Sequence, residues 1–287
     1  VTSYYPTIVT NADETVASVL RTIAFARRRS PLTALSIPGI HLEGPFISPH
    51  DGPRGAHSRR YVKAPDWPLF QRWQDAADGL VRLVTLSPEW DEAPGFIAKC
   101  VEQGVTVSIG HTAATPEQVR EAVAAGATLS THLGNGAHLQ LPRHPNYIWE
   151  QLAADELSIC VIADGYHLPD AVLKVFCRAK REQLIVVSDV MALSGLEPGT
   201  YTTDFGTEVE LLPEGKLHVA GNPSLLAGSV RMPLAGVERM AGLGVVPFAE
   251  AWDFASVRPA RFMGLPQGAG LDVGSPADLV LFERTAS

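Results

Sequence analysis

Short apolar, β-branched runs alternate with longer amphipathic stretches through the first two thirds of the chain, which is the pattern of a βα repeat. The apolar runs predict strands at residues 4–10, 34–41, 80–86, 105–109, 127–131, 158–163 and 184–187. Helices are expected between most of them. One starts at Asn11 as cap, carries Asp13 and Glu14 in its first turn, and ends at Arg27 to Arg29, a charge order that suits the helix dipole. Others span residues 93–103, 148–154 and 169–180. Between the fourth and fifth strands, Thr115, Pro116 and Gln118 form a capping-box signature and Gly126 closes the helix. After the second strand comes a polar loop with Pro49, Gly52, Pro53 and Gly55, too long for a plain connector.

Polar residues collect just past these strand ends: Glu43, Glu89, His111, His132, Asp164 and Asp189. Parallel strands in βα units deliver such residues to one edge of the sheet. The expected fold class is therefore α/β, a TIM-type (β/α)8 barrel, favoured over an open doubly wound sheet because no G-x-G-x-x-G follows a strand. Seven strands are legible where a closed barrel needs eight, so the first strand is expected to be missing.

Beyond Asp189 the texture changes. Residues 209–212 and 216–219 flank Pro213-Glu214-Gly215 and predict a hairpin, residues 233–241 and 246–254 predict helices, and 277–282 predicts a strand. The expected division is a barrel catalytic domain over 1–205 and 225–265, a hairpin insertion over 206–224, and a small, apparently truncated C-terminal β appendage over 266–287.

Composition narrows the function. With 287 residues, 46% of them hydrophobic and 19% charged, the chain can bury a large core. A net charge of −8, with no basic block beyond Arg27 to Arg29, offers nucleic acid no extended face. No apolar stretch reaches the ~20 residues of a membrane span, and no signal peptide opens the chain. Cys100, Cys160 and Cys177 are scattered and odd in number, so neither disulfides nor a thiolate site is expected and a reducing cytoplasm is. His50 and His218 are expected as solvated residues, and Trp67, Trp73, Trp90, Trp149 and Trp252 as core or interface anchors.

Glu43, His111, His132 and Asp189 carry the candidate chemistry. Two imidazoles and a carboxylate form a common hydrolytic zinc set with an open position for water, leaving Asp189 free for proton work. A divalent metal lowers the pKa of its water to about 7, which makes a hydroxide nucleophile available.

Several motifs together resemble the N-acetylglucosamine-6-phosphate deacetylase family of the amidohydrolase superfamily. They are His41-Leu42-Glu43-Gly44-Pro45-Phe46, Gly110-His111-Thr112, Thr131-His132-Leu133, Ala163-Asp164-Gly165 with His167, Ser188-Asp189 and Leu226-Ala227-Gly228-Ser229. The resemblance covers essentially the whole chain. It implies that Glu43, His111 and His132 bind the metal and that Asp189 acts as base and then acid. It implies that His57 and His167 hold the sugar, that Asn135, Gly136 and Arg143 meet the phosphate, and that Leu226, Ala227 and Gly228 line the site. It also implies a homodimer, in which the phosphate-binding arginine can come from the partner. One divalent ion per chain is expected, zinc first, with iron, manganese or cobalt as alternatives. In many relatives a preceding strand carries a His-x-His pair for a second metal, and this chain lacks it.

Two departures fall on the substrate side. After His132-Leu133 the family usually has an aromatic residue and Asn-Ala-Met, whereas this chain has Gly134-Asn135-Gly136-Ala137-His138. Arg143 stands in Pro142-Arg143-His144-Pro145 instead of the family's G-R-x-P-G. The expected reaction is hydrolysis of the acetamido group of an N-acetyl amino-sugar 6-phosphate, a small-molecule substrate. The alternatives are an amidohydrolase acting on another N-acyl or cyclic amide, and a catalytically silent sugar-phosphate-binding paralogue.

Overall fold

The computed structural model describes residues 2–204 and 206–283. The ends of the expected 1–205 and 266–287 segments, Val1, Phe205 and residues 284–287, lie outside the described residues. Seven parallel strands form one curled sheet in chain order: β1 (Thr7–Val9), β2 (Ile40–Glu43), β3 (Val81–Leu86), β4 (Thr106–Ile109), β5 (Leu129–Ser130), β6 (Ser158–Ile162) and β7 (Leu184–Val187). β1 and β7 are its two edges, so the closed eight-stranded barrel is not formed by the described residues.

Alternation along the strands separates an outer apolar face from an inner face. Leu42, Val84, Leu86, Val107 and Ile109 point outward into a core completed by Phe70 and Trp73 of α3 (Trp67–Ala76) and Phe96 and Ile97 of α4 (Ala93–Glu102). On the other half of the sheet, Ile159, Val161 and Val186 pack against Leu173, Phe176 and Cys177 of α7 (Asp170–Ala179). The inner face has two layers. Leu83, Leu129, Cys160 and Ile185 make an apolar one with Phe262. Above it, His41 Nε2 meets Thr85 Oγ1 at 2.7 Å, Thr85 meets Thr131 Oγ1 at 2.7 Å, and Thr131 meets Ser108 Oγ at 2.6 Å. This buried polar layer satisfies its own hydrogen bonds, as burial requires, and forms the floor of the candidate site.

The helix between β4 and β5, α5 (Pro116–Ala124), has the expected capping box, with Thr115 and Gln118 bonding reciprocally. Other expectations need correction. Residues 31–36, read in part as strand, form the short helix α2 (Pro31–Ser36), because Ser30 caps Thr33 N and Pro31 occupies the first turn. Asn11 does not cap α1 (Asp13–Arg29); its Oδ1 accepts from Ala12 N, and Ala12 takes the cap position. The long loop after β2 contains α3, capped by Asp66 with Pro68 behind Trp67.

The expected hairpin exists as β9 (Glu208–Leu211) and β10 (Leu217–Val219), but it is the middle of a four-stranded antiparallel sheet with β8 (Gly199–Thr202) and β11 (Asn222–Leu226) at its edges. Its core of Val209, Leu211, Leu217 and Ala227 packs on Ala56 and Met191, tying the small sheet to loops of the large one. His218 is buried there, its Nδ1 bonded to the Val219 carbonyl, and is not solvated. Trp149 is half exposed, which removes the core alternative for it and leaves that of an interface anchor. Residues 277–282 form no strand; Phe282 instead stacks on Trp252 at 5.2 Å. No helix is long and apolar enough to cross a membrane among the described residues.

Candidate metal centre

Glu43 ends β2, while His111 and His132 each stand two residues past β4 and β5. All three are buried, and parallel pairing of neighbouring strands brings their side chains over one edge of the sheet. His111, His132 and Asp189 have φ of 48°, 27° and 49°, the left-handed region that non-glycine residues seldom occupy. Each such residue costs on the order of 1–2 kcal/mol. Three strand ends share the same backbone reversal, and at His111 and His132 it accompanies side chains that converge on one point.

Glu43 Oε1 lies 2.8 Å from His111 Nε2 and 3.2 Å from His132 Nε2, and the two Nε2 atoms are 3.1 Å apart. His111 Nδ1 is 2.9 Å from the Pro53 carbonyl, which can only accept, so Nδ1 carries the hydrogen and Nε2 presents its lone pair to the cluster. The candidate ligand atoms all lie within 4.8 Å of one another. Two imidazole nitrogens and a carboxylate oxygen facing one point in a buried setting fit a divalent cation.

The electrostatics agree. Burial alone would raise the Glu43 carboxyl, but the imidazoles of His111, His132 and His57 gathered around it outweigh burial and hold its pKa well below the usual range. Burial disfavours charge on His132, yet Glu43 and Asp189 overcome this and raise its pKa. The protein's own charges thus favour a cation at this point. His132 Nδ1 is buried without a hydrogen-bond partner among the described residues.

The remaining expected residues surround this triad. His57 Nδ1 bonds Thr10 Oγ1 at 2.9 Å, and its Nε2 lies 3.6 Å from Glu43 Oε1, with the ring edge-on to His111. Burial, and then the neighbouring His111, lower its pKa to about 4, so it is neutral near pH 7. His167 Nδ1 bonds Asp164 Oδ2 at 2.8 Å, and Asp164 Oδ1 accepts the Tyr166 and His167 amides, so this loop is held by one carboxylate. Asp189 is raised to about 6, first by burial and then by the charge of Glu43. Its backbone carbonyl accepts Ser229 N at 2.9 Å, which seats Leu226, Ala227 and Gly228 beside it. Asn135 bonds back to the His132 carbonyl, and Gly136 lies so close to His111 that a Cβ there would sit 2.7 Å from Nδ1. Arg143 stands apart from this cluster, exposed and without an ion pair among the described residues.

A profile of the amidohydrolase family matches residues 7–286. This chain belongs to the amidohydrolase family. It is 33% identical over 258 residues to the N-acetylglucosamine-6-phosphate deacetylase of Bacillus subtilis, covering 89% of this chain and 64% of that protein. It is 32% identical over 282 residues to the N-acetylgalactosamine-6-phosphate deacetylase of Escherichia coli O157:H7, covering 98% of this chain and 73% of that one. The crystal structure of the Mycobacterium smegmatis N-acetyl-D-glucosamine-6-phosphate deacetylase superposes with a TM-score of 0.85 at 33% identity, over 96% of this chain and 71% of that one. The chain thus spans roughly two thirds of the length of these relatives.

Amidohydrolases depend on metal, and in this amidohydrolase several supporting residues were not singled out from sequence. Pro53 fixes the His111 tautomer, Thr10 orients His57, and Glu89 ties neighbouring loops together. Of these, Glu89 alone carried a signal, since it follows the end of β3 as the other site residues follow theirs. Pro53 acts through its backbone, which residue type does not reveal.

Proposed function

We propose that this amidohydrolase is a metal-dependent deacetylase that hydrolyses the acetamido group of an N-acetyl amino-sugar 6-phosphate to the free amine and acetate. The observation that carries the proposal is the buried convergence of Glu43, His111 and His132 with Asp189 raised to about 6 beside them. The named relatives that share this architecture are deacetylases of N-acetylglucosamine 6-phosphate and N-acetylgalactosamine 6-phosphate.

Glu43, His111 and His132 would hold one divalent ion, zinc first, with iron, manganese or cobalt as alternatives. Such an ion supplies Lewis acidity toward a carbonyl and lowers the pKa of water. Asp189 handles the proton. No side chain hydrogen-bonds its carboxylate among the described residues, so both oxygens are free to receive one. A carboxyl with a pKa near 6 ionises close to neutrality and, once protonated, can pass the proton to the departing amine. His167, oriented through Nδ1 by Asp164, presents Nε2 to the substrate, and neutral His57 offers a second imidazole to the sugar. Leu226, Ala227 and Gly228 line the opposite wall, while Asn135, Gly136 and Arg143 meet the phosphate.

The curled sheet is read as a (β/α)8 barrel whose remaining strand position lies between β1 and β7. Residues 1–205 and 225–265 form its catalytic domain, 206–224 an insertion and 266–287 an appendage. Three free, buried cysteines suit a reducing cytoplasm. A homodimer would allow Arg143 to serve a neighbouring site. The altered Gly134-to-His138 segment supports a second reading, in which the same chemistry acts on a different N-acyl group.

A screen for acetate release across N-acetylated hexosamines, with and without a 6-phosphate, tests the proposal. Release from the phosphorylated sugars well above the unphosphorylated ones is expected. Equal rates favour the second reading, and no release by metal-loaded protein favours a silent sugar-phosphate binder.

A further inference from the structure

Outside the residues already assigned, one largely buried carboxylate holds three active-edge loops at once. Glu89 lies just after β3 with its side chain 13% exposed. Its Oε1 accepts Ser48 Oγ–H at 3.0 Å from the loop after β2, the strand that ends in Glu43. Its Oε2 accepts Ser87 Oγ–H at 2.7 Å from its own loop and the Ala113 amide at 2.8 Å, two residues beyond His111. Its backbone carbonyl accepts Gln118 Nε2 at 3.2 Å, joining the capping box of α5 to the same point. Two further bonds close the lattice around His111. The Ser48 amide donates to the His111 carbonyl at 2.9 Å, and Ser87 Oγ meets Thr112 Oγ1 at 2.8 Å.

This lattice answers a question the triad raises. His111 has φ of 48°, and a strained backbone persists only where its surroundings over-determine it. Here the carbonyl of the strained residue and the amide two positions later are both held by partners of Glu89, directly or through Ser48. The same Ser48 lies five residues beyond Glu43, so Glu43 and His111 are referenced to one carboxylate.

We propose that Glu89 is a positioning residue for the metal centre: by joining the loops after β2, β3 and β4 it fixes the His111 backbone and hence the spacing of His111 from Glu43. This inference rests on the reading of Glu43, His111 and His132 as metal ligands.

The geometry separates hydrogen bonding from charge. In Glu89→Gln the amide oxygen can still accept from Ser87 and Ala113, and the amide nitrogen can donate to Ser48 Oγ. In Glu89→Asp the charge remains, but the side chain is one methylene too short to span the loops. Glu89→Ala removes both. The probe is Co(II) alone, titrated into the metal-free chain, followed by visible absorption and by competition with a chelator. Glu89→Asp and Glu89→Ala are expected to bind Co(II) about 10-fold more weakly with an altered ligand-field band. Glu89→Gln is expected to stay within about 3-fold of the unmutated chain with its band unchanged. Should Glu89→Ala fail to fold, the contrast between Asp and Gln carries the test. Unchanged affinity and band in Glu89→Asp overturn the proposal, and so does a Gln variant as weak as the Asp variant or weaker, since charge would then be what matters. If the unmutated chain itself binds no Co(II), the ligand reading falls before Glu89 is tested.

Discussion

His111 Nε2 and His132 Nε2 face each other at 3.1 Å, with Glu43 Oε1 within 3.2 Å of both. Two lone pairs cannot face one another stably, so in the metal-free protein a hydrogen lies between them, and the charges of Glu43 and Asp189, which raise the His132 pKa against the cost of burial, favour an extra proton on that ring. A divalent ion would displace that proton. Binding of Zn(II) to the metal-free chain near pH 7 is therefore expected to release protons and to weaken as pH falls. Calorimetry in buffers of different ionisation enthalpy checks this; identical apparent enthalpies in all buffers would contradict it.

The close approach of Gly136 to His111 supplies a second prediction. A Cβ at Gly136 would lie 2.7 Å from His111 Nδ1, where it would push the ring off the Pro53 carbonyl. Gly136→Ala is expected to lower metal affinity about 10-fold. Gly195→Ala is the control, because Gly195 also has a positive φ, of 85°, but nothing within 4 Å of a Cβ. It should share the backbone strain and keep the affinity.

Stability should fall in mild acid. Burial, the main cause, lowers both His41 and His57 to about 4 from the ordinary histidine value of 6.5. The unfolded chain therefore binds more protons than the folded one between these values, so stability is full above pH 6.5 and is lost as pH falls toward 4. Asp189, raised to about 6, works the opposite way within this interval, and the raised His132 does so above pH 6.5, so the loss is expected below pH 6.5, where two groups act against one. Urea unfolding of the metal-free protein between pH 7 and 4.5 should show the loss. His41→Asn should flatten the slope by about one proton, and an unchanged slope would remove His41 from the account.

Arg143 is exposed and has no ion pair among the described residues, as a side chain awaiting an anion would. Arg143→Ala should raise KM for phosphorylated N-acetyl sugars at least about 10-fold, with little effect on unphosphorylated ones or on kcat. Equal changes for both substrate classes would exclude a phosphate role.

The sequence was most legible where one residue's neighbours decide its state. The parallel strands, the capping box at Thr115 and Gln118, and the convergence of Glu43, His111 and His132 all follow from local runs and from the rule that parallel strands share an end. The short helix at Pro31–Ser36 was misread because Ala34, Leu35 and Ile37 look apolar enough for a strand, while Ser30 and Pro31 set a helix start. β8 and β11 were hidden because edge strands on a small sheet need little apolar sequence; Asn222, Pro223 and Ser224 are exposed. Roles played by backbone atoms, such as the Pro53 carbonyl on His111, leave no trace in residue type. The substrate side was least legible, since Gly134 to His138 departs from the family pattern and the exposed Arg143 forms no ion pair among the described residues.

The central claim is that Glu43, His111 and His132 hold one divalent ion while Asp189 carries the proton. The most direct measurement pairs metal content with acetate release for the unmutated chain, His111→Ala and Asp189→Asn. The account predicts about one ion per chain in the unmutated protein and in Asp189→Asn, and none retained by His111→Ala. It also predicts that turnover in Asp189→Asn falls by about 10²–10⁴ despite the retained metal. Metal held undiminished by His111→Ala, or undiminished turnover in Asp189→Asn, would contradict it.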